Sequence, residues 1–315
     1  MLIPLFLSLI PFISSQTCPD IQASSCEEKQ NMSRTLRTIA RIINPPELPE
    51  GDGARVRRVV GTNQLKNLDP FLMMDHFFVS KPAGFPDHPH RGFETVTYMI
   101  TGSCKHEDFK GYAGEIGPGA VQWMTAGKGI MHAEMPGTDS MEGLQLWVNL
   151  SREYKMCEPN YQDAGESEIL KVEGDGVRAT IIAGTCLGQT ARTVTRTPTY
   201  YFVVELERGK TLNQEIPDGW NGYVYVLNGT VSIGNSNLSR FQAGILTQNG
   251  ELRIESSEGA KFALLAGRPI GEPVVQYGPF VMNTREEIEE TFNDFRSYRN
   301  GFEAGRGWVS KIRDG

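Results

Sequence analysis

Histidine is scarce in this chain of 315 residues. There are five, all between His76 and His132, and none follows. Random surface placement would scatter them, so the clustering points to one site in the first half. Cysteine is equally scarce, at five. Cys18 and Cys26 are close enough in sequence to pair, which leaves Cys104, Cys157 and Cys186 as an odd remainder. An odd count fits a secreted disulfide framework poorly. Basic residues do not outnumber acidic ones: 31 Lys and Arg against 38 Asp and Glu give a net charge of -7. That balance excludes general nucleic-acid binding, which needs a basic face. The one basic run, "ARVRR" (Ala54 to Arg58), reads as an exposed strand edge. Long charge runs and solenoid-type repeats are also lacking.

The longest apolar run is N-terminal. "MLIPLFLSLIPFISSQ" has a hydrophobic core from Leu2 to Ile13 followed by small residues, the pattern of a secretory signal peptide over residues 1–15. It is too short for an ordinary membrane-spanning helix, and no membrane span is expected elsewhere. The stretch lacks the usual Lys or Arg at its start, and Met32 offers a second beginning. Sequons at Asn31, Asn149, Asn228 and Asn237 add weak support for secretion.

Glycine, at 34 residues, is spread along the chain with 18 prolines, which reads as many short strands joined by turns. In "ETVTYMITG", Glu94, Val96, Tyr98 and Ile100 face one way and Thr95, Thr97 and Met99 the other. In "GLQLWVNL", Leu144, Leu146, Val148 and Leu150 share a face. Both predict half-buried antiparallel strands. A polar stretch from Glu158 to Glu168 reads as a linker, after which strands resume in similar order. "NTREEIEETFNDFRSYRNG" predicts a helix with a Thr284–Glu287 capping box, an apolar stripe of Ile288, Phe292 and Phe295, and a stop at Gly301. The expected fold class is all-β: two antiparallel β-barrels with a C-terminal helix. The expected division is an extension at 1–31, barrels at 32–160 and 161–283, and the helix and tail at 284–315.

The chemistry begins at "FPDHPHRGFE". Residues i and i+2 of a strand share a face, so His88 and His90 aim two imidazoles at one point, with Pro89 stiffening the segment. In "GIMHAEMP", His132 and Glu134 stand in the same relation. Two such pairs on facing strands supply three nitrogens and a carboxylate to one divalent transition metal: Fe, Cu, Ni, Mn and Zn all suit these donors. His76 is expected in the core and His106 near the surface or the cavity mouth. Glu94 is expected either as a fifth ligand or as an acceptor orienting a ligand histidine. Phe93, Trp123, Met124 and Met131 are candidates for the cavity wall. In the second barrel, without histidines, Phe202, Val204, Val224 and Val226 are expected to fill the interior, and Glu205 and Glu207 to form a solvated face.

Long stretches then resemble the pirin family: "NLDPFLMMDHF", "GFPDHPHRGFETVTY", "QWMTAGKGIMHAEMP", "TRTPTYYFVVEL" and "GPFVMNTREEI". The resemblance covers roughly Gly53 to Ile312. It implies two stacked cupin barrels (a bicupin) and one iron held by His88, His90, His132 and Glu134, with Glu94 not a ligand. It implies quercetin 2,3-dioxygenase activity on a small aromatic flavonol, with Glu134 taking the 3-hydroxyl proton. The alternative it carries is an iron-dependent, redox-sensing cofactor of transcription factors. It places the protein in the nucleus and cytoplasm, whereas a working signal peptide at Met1–Ser15 would place it in the secretory pathway.

Overall fold

The computed structural model describes residues 35–51 and 53–313. The signal-peptide stretch, the Cys18–Cys26 pairing and the Asn31 sequon lie outside these residues. The described chain is mostly strand, with one α-helix, Arg285–Ser297. Its strands form two cupin-like halves, and among the described residues no sheet closes on itself as a continuous ring.

In the first half, a seven-stranded antiparallel sheet runs Glu47–Glu50, Ala54–Val60, Phe71–Ser80, Ser140–Asn149, Phe93–Thr101, Val121–Thr125, Asn160–Ala164. A four-stranded sheet, Ala113–Ile116, Cys104–Asp108, Ile130–Pro136, Phe85–His90, forms its other wall. The expectation of half-buried strands fails here. Phe71–Val79 and Phe93–Met99 are buried almost without interruption. One face of the large sheet meets the interior of its own half, and the other meets the second half.

That junction is an apolar layer. Val96, Tyr98, Leu144, Leu146 and Val148 pack with Tyr201, Val203, Tyr223, Tyr225 and Leu265 in one cluster. The second half has a ten-stranded sheet and a separate core in which Phe202, Val204, Val224 and Val226 are fully buried, as the sequence suggested. Glu205 sits on the outside, paired with Arg178 and Lys261.

The halves interleave in sequence. Ile39–Ile43 pairs with Ala243–Leu246 in the second sheet, although it precedes the first half. Asn160–Ala164, expected as linker, pairs with Val121–Thr125 in the first. Its polar composition misled because its polar side chains are partnered: Tyr161 Oη donates to Asp108, and Asp163 accepts from Tyr112 Oη. The "ARVRR" run is not the sheet edge: Glu47–Glu50 lies outside it and, with Asp75, neutralises Arg55, Arg57 and Arg58.

The helix has the expected capping box, with the Thr284 side chain accepting from Glu287 N and the Glu287 carboxylate accepting from Thr284 N. It stops earlier than Gly301: Tyr298 takes the left-handed conformation at the C-cap, and its amide bonds back to Asp294 and Phe295. Among the described residues, Cys104, Cys157 and Cys186, the odd remainder, are free cysteines. Asn149 is buried and accepts from Lys155 Nζ, so that sequon is closed to modification.

Candidate metal centre

The strand Phe85–His90 lies beside Ile130–Pro136, with His88 directly opposite His132 and His90 opposite Ile130. Opposite residues of an antiparallel pair share a face, and so do residues two apart. Three imidazoles therefore converge from adjacent strands. Their nitrogens lie within 4.8 Å of one another. Ring centroids are 4.3 Å apart for His88 and His132, 4.8 Å for His88 and His90, and 5.0 Å for His90 and His132. The register slips between His132 and Glu134, which brings Glu134 opposite Phe85. The Glu134 carboxylate stands beside the cluster, with Oε2 3.9 Å from His132 Nε2.

The donors are prepared to accept a cation. Nδ1 of His90 and both ring nitrogens of His132 are buried without a hydrogen-bond partner. Orphaned buried polar atoms are costly and call for an occupant. His88 Nδ1 is 2.9 Å from Pro86 O. A carbonyl only accepts, so Nδ1 carries the proton and Nε2 keeps its lone pair free. Burial lowers the pKa of all three histidines, and proximity to the other imidazoles lowers those of His90 and His132 further. Neutral imidazoles are the ligand form. Burial likewise pushes Glu134 up to about 7, against the opposing hydrogen bond from Thr97 Oγ1 at 3.3 Å. Thr97 Oγ1 is also 2.6 Å from Gln145 Oε1, so its single proton is shared between the two acceptors. The residues present thus fit a transition metal on their own chemistry.

The cluster opens on a cavity of about 750 Å³. His88, His90 and Glu134 line it together with Met73, Phe77, Phe85 and Trp147. The four candidates for its wall do not line it; they pack as ordinary core, the alternative reading for each. Trp123 is buried in the layer between the halves, and Met124 and Met131 pack in an apolar cluster with Phe109 and Phe280. Phe93 stands behind, with its ring 5.2 Å from His90 and 4.4 Å from Trp147. The residues that do form the wall were the polar or odd members of alternating strands, such as Thr97, Gln145 and Trp147. Their face looked like the solvent side, but it points into the cavity. That face was the signal available in the sequence.

The remaining histidines and Glu94 lie elsewhere. His76 is buried and bridges the halves, with Nε2 2.9 Å from Glu142 Oε1 and Nδ1 3.1 Å from Tyr225 Oη. His106 is not at the surface: it is buried on the strand Cys104–Asp108, 3.7 Å from Asp163 and stacked on Tyr112. Glu94 alternates with Thr95 and Thr97, so it leaves the cavity face. It meets Thr125 Oγ1 at 2.6 Å and stands outside the histidine cluster.

Comparison with known proteins bears on the family and the fold. The Pirin family model matches residues 53–148, and the model for the pirin C-terminal cupin domain matches residues 201–301. A pirin-like protein of Solanum lycopersicum is 51% identical over 268 residues, covering 83% of this chain and 92% of that one. Pirin of Homo sapiens is 48% identical over 274 residues, covering 84% and 94%. Among solved structures, a quercetin 2,3-dioxygenase from Acinetobacter baumannii superposes with a TM-score of 0.78 at 32% identity, covering 84% of this chain and 98% of that one.

Proposed function

The chain belongs to the pirin family of cupin proteins, and on that premise we propose that it is an iron-dependent flavonol dioxygenase of the quercetin 2,3-dioxygenase type. The observation that carries this reading is the set of three converging imidazoles, with His90 Nδ1 and both His132 nitrogens buried without a hydrogen-bond partner, of which His88 and His90 line a cavity of mixed polar and apolar wall. The likeness to the Acinetobacter enzyme supports it.

His88, His90 and His132 would hold the metal, with Glu134 beside them as a fourth donor. When bound, iron supplies a Lewis-acidic, redox-active centre that makes a nearby hydroxyl more acidic and opens a path to reaction with dioxygen. The chain's own residues do the rest. Met73, Phe77, Phe85 and Trp147 would give a planar, multi-ring substrate apolar surface. A cavity of about 750 Å³ accepts a molecule of flavonol size. Glu134 lines it and takes the 3-hydroxyl proton as general base. The Thr97 hydroxyl stands beside that carboxylate and shares its one proton between Glu134 and Gln145.

The test is to load the metal-free protein with Fe(II) and follow quercetin loss and carbon monoxide release in oxygenated buffer. The expected result is turnover with one metal per chain. The double substitution His88→Ala and His90→Ala should abolish both. Full metal content in that variant, or no turnover by the iron-loaded wild type, overturns the reading.

A further inference from the structure

The strand that carries His88 and His90 is not held by its own sheet alone. Arg91, the next residue, is 1% exposed. Its Nε donates to Lys128 O at 2.6 Å. Nη1 donates to Asp294 Oδ2 at 2.9 Å and Thr291 Oγ1 at 3.2 Å, and Nη2 donates to Asn300 O at 2.7 Å. Asp294, also 1% exposed, accepts from Arg299 Nε and Asn300 Nδ2, each at 2.9 Å. The Arg91 backbone bonds to Pro279 O and Val281 N. Gly92, at φ +87°, lies so close to Val281 that a Cβ there would stand 1.9 Å from its carbonyl oxygen. Lys155, buried, donates to the carbonyls of both Gly92 and Val281. At the other end of the strand, the Asp87 carboxylate accepts from Ser310 N at 3.3 Å. Glu107, on the strand beside His132, accepts from Ser310 Oγ at 2.8 Å and Lys311 N at 2.7 Å.

We propose that the C-terminal segment, residues 280–311, is a positioning element of the metal centre, with the buried Arg91–Asp294 pair setting the His90 imidazole. Successive side chains leave a strand on opposite sides. Fixing the Arg91 guanidinium in its pocket therefore fixes the direction in which His90 points inward. A buried, fully bonded ion pair has essentially one acceptable geometry, and removing one partner leaves a buried charge that the backbone must move to relieve. Coupling of this kind is reciprocal: if docking of the helix favours metal binding, metal binding tightens docking of the helix by the same factor. The proposal rests on the metal reading above.

The experiment uses the full chain, made metal-free and titrated with Co(II) as a spectroscopic probe. Three variants are compared with the wild type: Asp294→Asn, Arg91→Lys, and Val226→Ala in the core of the second half as a control for lost stability. Asp294→Asn should weaken Co(II) binding tenfold or more and shift the visible spectrum. Arg91→Lys should act in the same direction and carries the test if Asp294→Asn does not fold. Val226→Ala should leave affinity and spectrum unchanged. In the wild type, Co(II) should slow amide exchange across Arg285–Ser297. Wild-type affinity and spectrum in the folded Arg91 or Asp294 variants overturn the proposal alone, as does exchange that ignores Co(II). No Co(II) binding by the wild type overturns the metal reading, and the proposal with it.

Discussion

Glu94 and Glu134 show how much one alternation decides. Both are buried acids, and both are pushed up to about 7 by burial. Glu134 reaches the cavity, whereas Glu94 enters the layer between the halves, where Oε2 has no hydrogen-bond partner. The sequence made the face of Glu94 legible, because "ETVTY" alternates cleanly, but not what that face meets. His106 was misjudged for a related reason: the polar run "KHEDFKGY" looks like a turn, yet its first residues form a strand whose inner side chains find Asp163 and Tyr161. The His-Pro-His and His-Ala-Glu pairs were legible because a two-residue spacing on a strand has only one geometric meaning.

The position of Glu94 has a consequence for stability. Its folded-state pKa is raised from 4.5 to about 7, so the unfolded chain loses this proton first. The neutral carboxyl costs nothing below about pH 4.5. Stability then falls as pH rises and levels off once pH exceeds about 7. At 1.36 kcal/mol per unit, the full loss is about 3 kcal/mol. Glu94→Gln should remove most of that slope, so thermal midpoints of the variant should change less between pH 5 and pH 8 than those of the wild type. Equal slopes for the two proteins would mean that Glu94 is ionised at little cost.

At the scale of elements, the sequence carries the alternation of the large sheet's strands but not their environment. A strand with apolar residues on one side and Thr, Gln or Trp on the other normally has one wet face. Here the second face looks into a cavity, and no single strand carries a mark of that. The helix was more legible, because its start is set locally. Thr284 and Glu287 bond reciprocally, and Glu287 also accepts from Asn283 N at 2.8 Å. Its end is set by tertiary contacts: Tyr298 takes the left-handed turn three residues before Gly301, and Asp294 is drawn to Arg91. Thr284→Ala removes one acceptor from the first turn and should cost about 1 kcal/mol, read from chemical denaturation. A cost near zero would show that Glu287 and the packing of Ile288 hold the helix start without the cap.

On the scale of the molecule, duplication is visible in the sequence as two runs of strands, but the cut between them is not. The expected boundary at 160/161 falls at the start of an edge strand of the first sheet. The second sheet takes its outermost strand, Ile39–Ile43, from residues that precede the first half. Beside that strand, the buried Arg37 spends its guanidinium on carbonyls of Gly250, Trp220, Thr247, Ile216 and Pro217. Pairing over so long a separation leaves no local trace in sequence. Cutting the chain at residue 165 would therefore injure the second half in three ways. It would lose the strand and Arg37. Tyr201, Tyr223, Tyr225 and Leu265 would face water in place of Val96, Tyr98, Leu144 and Leu146. Asp294 would be left without Arg91. A contiguous apolar face of that kind promotes association. A fragment of residues 165–315 should accordingly bind a hydrophobic dye, self-associate, and show no cooperative thermal transition, whereas the full chain should melt in one. A monomeric fragment with a sharp transition would show that the second half holds its own fold. The layer between the halves would then be a docking surface rather than a shared core.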